Sequence, residues 1–95
     1  MLPPKKKKET DYAALASPFM RIPRVTTEAA RDLMDLGLRE IYELQGRAPE
    51  VLFAEVRRLR PGTPESRLPL FRLAVYFAEH PEPEREKLRP EAWAD

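Results

Sequence analysis

With 95 residues and a formal net charge of +1, the chain has room for one core and lacks the strongly basic footprint of a dedicated high-affinity DNA binder. Hydrophobic residues make up 42% and charged residues 35%, too apolar for wholesale disorder and, with no run near the roughly 20 apolar residues of a spanning helix, too charged for a membrane span. The absence of Cys excludes disulfides, thiolate metal sites and cysteine nucleophiles, and a lone His excludes His-rich zinc sites.

Residues 1–10 read as a disordered basic tail: Pro3-Pro4, then Lys5, Lys6, Lys7 and Lys8. No apolar h-region follows the lysines, so the tail is no secretory signal, and a cytoplasmic protein is expected. The lysines are either a phosphate-attracting arm or a solvated terminus. Asp11 is placed to cap a short helix carrying Tyr12, Leu15 and Ala16, which Pro18 ends. Phe19, Met20 and Ile22 form an apolar cluster ahead of Pro23.

Thr26 or Thr27 takes the N-cap of the next helix, with Glu28 in its first turn. Ala29, Ala30, Leu33, Met34 and Leu36 supply its apolar face, while Arg31, Asp32 and Asp35 are expected to face water. Gly37 supplies the residue that takes positive φ beyond the helix end. Leu38, Ile41 and Leu44 make a further helical turn that ends at Gly46.

Pro49 opens a third helix with a buried stripe of Leu52, Phe53, Val56 and Leu59; Glu55, Arg57, Arg58 and Arg60 lie largely outside it. Pro61-Gly62-Thr63-Pro64 stops it. The fourth helix includes Leu70 to Ala78, starts late with Pro69 in its first turn, and is apolar nearly all round, which predicts a central position. Past His80 the chain is acidic and Pro-rich, with a helical turn at Glu84–Leu88; Trp93 either folds back onto the core or anchors a partner.

No alternation long enough for a strand survives, so the fold is all-α: a compact bundle of four to five short helices around a central apolar helix over 70–78. Residues 11–80 form the helical domain, and 81–95 an acidic C-terminal extension packed back through Trp93. Charge is uneven along it, at +4 over residues 1–8, near balance through the helices and −3 over 79–95. Twelve Arg against five Lys, one Gln and no Asn fit a thermophile, although a GC-rich genome gives the same bias.

The stretch Phe19-Met20-Arg21-Ile22-Pro23-Arg24-Val25-Thr26-Thr27-Glu28 and onward to Leu44 resembles a helix-hairpin-helix unit. In that family a Pro-Gly-hydrophobic-Gly hairpin precedes a helix that leaves through hydrophobic-Gly-hydrophobic. Pro23, Val25, Ala30, Leu33, Leu36, Gly37, Leu38 and Leu44 stand at matching positions. Glu50-Val51-Leu52-Phe53, Phe71 to Ala78 and Glu91-Ala92-Trp93-Ala94-Asp95 extend the likeness, over roughly residues 19–95, to the small bacterial pathogenicity locus family. Its members are often labelled helix-hairpin-helix or, loosely, mitomycin resistance proteins. The resemblance implies a SAM-like helical bundle.

Departures fall where function is at stake. The family's two hairpin glycines let backbone amides approach a DNA phosphate at a helix start; Arg24 and Thr26 occupy those positions here. Positive φ there costs Arg or Thr about 1–2 kcal/mol. Either Arg24 compensates with its charge and Thr26 or Thr27 with a hydroxyl, or the hairpin keeps only a packing role. Two cysteines of the family are replaced by Ser66 and Leu73. A weaker internal echo places Arg57, Arg58 and Arg60 before Pro61-Gly62 as a second phosphate contact, or as a solvated helix end.

Two functions follow. The first is weak, sequence-independent binding of double-stranded DNA through Arg24, Thr26, Thr27 and Arg31 at the hairpin, Arg57, Arg58 and Arg60 at the second loop, and Lys5, Lys6, Lys7 and Lys8 as an arm. The second is a protein-interaction or self-association module that has lost DNA binding. Catalysis is not expected: His80 precedes Pro81, a poor place for an oriented base, and Glu40, Glu43, Glu50 and Glu55 read as solvated faces of two helices. No cofactor or metal is expected.

Overall fold

The computed structural model describes residues 10–95, so the predicted arm of Lys5, Lys6, Lys7 and Lys8 lies outside the described residues. Those residues form four α-helices and no strand: α1 (Tyr12–Leu15), α2 (Thr27–Asp35), α3 (Pro49–Leu59) and α4 (Arg67–Glu79). Short 3-10 turns at Pro18–Arg21, Ile41–Leu44, Arg85–Lys87 and Pro90–Trp93 fill the connections.

Helix ends follow local chemistry. Asp11 caps α1 by accepting the Ala14 amide at 3.1 Å, and Thr26 caps α2, its Oγ1 accepting the Ala29 amide at 3.1 Å. At the far end of α2 the Gly37 amide donates to the Met34 carbonyl and the Leu38 amide to the Leu33 carbonyl. That is a Schellman motif, made by Gly37 at φ 88° and sealed by the burial of Leu38 and Leu33. Glu43 reaches back to accept the amides of Arg39 and Glu40, and these two bonds hold its pKa below the usual carboxylate value.

Pro49 opens α3. In α4, Pro69 is the third residue, where a first-turn N–H would have no intrahelical partner anyway.

The core draws on every α-helix: Ala14, Leu33, Leu52, Val56, Phe71 and Leu73 are closed to solvent, together with Phe19, Ile22 and Leu44 from the turns. Each large side chain buried in this way contributes roughly 1.5–3 kcal/mol. From α4, six residues between Leu70 and Tyr76 are buried, and the helix packs on α3, on the Ile41–Leu44 turn and on the Pro90–Trp93 turn.

Trp93 lies 5.3 Å from the Tyr76 ring and donates its indole N–H to the Lys87 carbonyl at 2.8 Å. Arg72 donates to the Trp93 carbonyl at 2.6 Å and so ties the C-terminal stretch to α4.

Two sequence expectations fail. Leu59, assigned to the buried stripe of α3, is 54% exposed: it shares the face of Leu52 and Val56 but is the last residue of the helix, where that face runs out of the core. Asp32, expected to face water, is 1% exposed, because two arginines from outside α2 close over its carboxylate.

Candidate nucleic-acid interface

The hairpin between the Pro18–Arg21 turn and α2 is a four-residue turn closed by the Val25 amide on the Ile22 carbonyl at 3.2 Å. Pro23 at its second position and a positive φ at its third mark a type II turn. That third residue is Arg24, at φ 68°, the one non-glycine residue with positive φ among the described residues. Thr26, at the other glycine-like position, is extended at φ −83° and acts as the cap. Of the two positions, the first thus takes the left-handed backbone that glycine favours, and the second is a helix cap.

Val25 is buried and anchors the turn, while Arg24 is exposed and its guanidinium has no ion-pair or hydrogen-bond partner among the described residues. Two residues on, Thr26 caps the N-terminal, positive end of the α2 dipole. Thr27 begins that helix, half-buried. Arg21, a residue that sequence reasoning passed over, is exposed immediately ahead of the turn.

The second loop treats its arginines differently. Arg57 donates from Nε to the Thr63 carbonyl at 3.1 Å and lies 4.4 Å above the Phe53 ring. Arg60 donates to Asp35 at 2.8 Å and to Asp32. Arg58 alone of the three is exposed without such a partner among the described residues.

Arg31 is held as well. Its Nε and Nη2 both donate to the Asp11 carboxylate at 2.7 Å, a two-pronged pair, and its Nη1 reaches Asp35 at 3.4 Å. The Arg31 guanidinium, helped by the Ala14 amide, holds the Asp11 carboxyl down to about 2. Asp35, and after it Asp32, push the Arg60 pKa up.

These pairs join into one chain of alternating charge: Asp11, Arg31, Asp35, Arg60, Asp32 and Arg67. It stitches the cap of α1 to α2, the end of α3 and the start of α4. Asp32 and Arg67 were missed from sequence, yet a signal existed. Asp32 stands three residues after Ala29 and four before Leu36, within the apolar stripe itself.

A cleft of about 680 Å³ brings the two predicted loops together, with Thr27 and Arg31 on one side and Arg60, Gly62, Thr63 and Arg67 on the other. Asp11, Glu28 and Asp32 also line it, so among the described residues three cations meet three carboxylates there.

Elsewhere, His80 is engaged through Nδ1 with the Tyr76 carbonyl at 2.8 Å and stacks on the Tyr76 ring. Glu50 pairs with Arg72, while Glu43 serves as a backbone acceptor, so these carboxylates do not converge. Among the described residues no three His, Asp or Glu side chains are grouped to hold a metal ion, and no helix is long and apolar enough to cross a membrane.

A family model described as pathogenicity locus (Cdd1) matches residues 13–93. No curated protein and no solved structure matches the chain.

Proposed function

This chain belongs to the pathogenicity locus family, and on that premise we propose that it is a non-catalytic module of helix-hairpin-helix type that holds duplex DNA weakly, through phosphates and without reading sequence. The observation that carries the reading is Arg24. An L-residue in left-handed conformation is strained, and such strain persists where surrounding structure enforces it and tends to gather at functional sites. Here the strained residue carries a guanidinium without a partner among the described residues, on an exposed turn three residues ahead of the start of α2. A charged side chain reaching out from the turn replaces the close backbone approach that glycine would permit.

Arg21 precedes the turn, Arg24 stands within it, and Thr27 follows at the helix start. Two or three phosphate contacts imply an affinity that falls about 10–40-fold between 50 and 200 mM salt. Anisotropy of a labelled duplex, titrated at both salt concentrations, reads this directly. Two duplexes of unrelated sequence should bind alike, and Arg24→Glu should weaken both. No binding near 100 μM protein at about 50 mM salt, or an Arg24→Glu variant that binds as the native chain does, overturns the reading.

A second reading, self-association or a protein partner, is favoured by exposed apolar side chains: Tyr12 is 77%, Tyr42 67% and Val51 54% exposed. Sedimentation at several concentrations, without DNA, tests self-association; a mass that stays monomeric removes it.

A further inference from the structure

Asp35 lies in the last turn of α2, where a carboxylate faces the negative end of the helix dipole. Two guanidiniums from different elements hold it there. Arg31 Nη1 donates to its Oδ1 at 3.4 Å, and Arg60 Nη1 donates to its Oδ2 at 2.8 Å.

Each arginine also has an anchor of its own. Arg31 is fixed by both oxygens of Asp11, and Arg60 by the buried carboxylate of Asp32. Removing the Asp35 carboxylate would therefore leave both guanidiniums where they are, with one N–H edge of each aimed at the vacated point. Two independently anchored guanidiniums converging on one point form the fork that a phosphate or sulfate accepts.

The point is also reachable from solvent: the Arg31, Asp35 and Arg60 side chains are 34%, 29% and 42% exposed. Thr27, Arg31 and Asp35 follow one another at four-residue intervals, so the site lies along the same face of α2 that begins at the hairpin.

We propose that Arg31 and Arg60 form a two-arginine oxyanion site and that Asp35 masks it, occupying the place of the anion and keeping the chain's hold on phosphate weak. The ligand class is a tetrahedral oxyanion, and its biological source, the duplex backbone, rests on the reading of function given above. Exposed pairs such as Arg31 with Asp35 contribute little to stability, so the mask is cheap to remove.

Titration of inorganic phosphate into the full chain, followed by NMR at the arginine Nε–H groups, tests the site apart from DNA. Four proteins suffice: native, Asp35→Ala, Asp35→Asn, and Glu91→Gln as an equal charge change at an exposed position in the C-terminal stretch. Asp35→Asn keeps the test usable should Asp35→Ala fail to fold.

The expected result is a saturable shift at Arg31 and Arg60 in the Asp35 variants, absent or about tenfold weaker in the native chain and in Glu91→Gln. Duplex affinity should rise about tenfold in the Asp35 variants, with the log–log salt slope steeper by about one. Folded Asp35 variants with no saturable shift at the two arginines, or with duplex affinity raised only as much as Glu91→Gln raises it, overturn the proposal. A phosphate shift without any duplex binding would leave the oxyanion site standing and remove the DNA reading. Duplex binding that Arg24→Glu abolishes and Asp35→Ala leaves unchanged would do the reverse.

Discussion

The turn at Pro23-Arg24 and the turn at Pro61-Gly62 look alike in sequence, each set beside arginines at the edge of a helix, yet the fold treats them in opposite ways. At the first, Arg24 accepts a strained backbone, and its exposed guanidinium has no partner among the described residues. At the second, Arg57 is spent on a carbonyl and a phenyl ring, and Arg60 on two aspartates. What separates them is the company each keeps. The second loop packs against the face of α2 that carries Asp32 and Asp35, and a guanidinium there gains more from a fixed carboxylate than from water. Arginine content near a turn is thus a poor guide to a phosphate surface until the acids across the packing interface are known.

The largest effect should come from the second region. Asp32→Ala strips the buried partner of Arg67 and Arg60 and should destabilise the fold by about 3 kcal/mol, read as a fall in urea midpoint. A loss below about 0.5 kcal/mol would mean that the arginines are not held there, and the contrast between the turns would collapse.

At the first turn the sign should reverse. Arg24→Gly relieves the left-handed strain and should stabilise by about 1 kcal/mol, while Thr26→Ala, two residues on, should cost about 1 kcal/mol through the lost cap. Thermal melts of the two variants report both.

Acid should separate the regions further. Asp11 has its folded pKa lowered to about 2 from 3.8, so its pair with Arg31 stabilises the fold above about pH 4 and is lost as pH falls from there towards 2. The urea midpoints of native and Asp11→Asn should differ at pH 5 and converge near pH 2.

The smallest change belongs to the exposed end of α3: Arg58→Ala and Leu59→Ser should each stay within about 0.5 kcal/mol of native.

Much of this architecture was legible in the residues. A cap at Thr26 or Thr27, Gly37 with positive φ and Pro49 at a helix start are local decisions, made by one or two side chains, and they hold in the structure, which picks Thr26 as the cap. Periodicity sets Asp32 within the apolar stripe of α2, but not the partners that let a carboxylate be buried there, because Arg60 and Arg67 stand 28 and 35 residues away. For the same reason the candidate arginines could be named from sequence but not sorted. Whether Arg31 or Arg60 is free is decided by long-range pairing, with Asp11 and Asp35 for the one and Asp32 and Asp35 for the other.

The central claim is that the hairpin, and not the second loop, meets the duplex. Amide chemical-shift mapping of the full chain with an unlabelled duplex at low salt tests it most directly. The account predicts shifts concentrated at Arg21 to Glu28, with Arg57 to Thr63 nearly still. Shifts centred on Arg57 to Thr63, with the Arg24 turn unmoved, would contradict it.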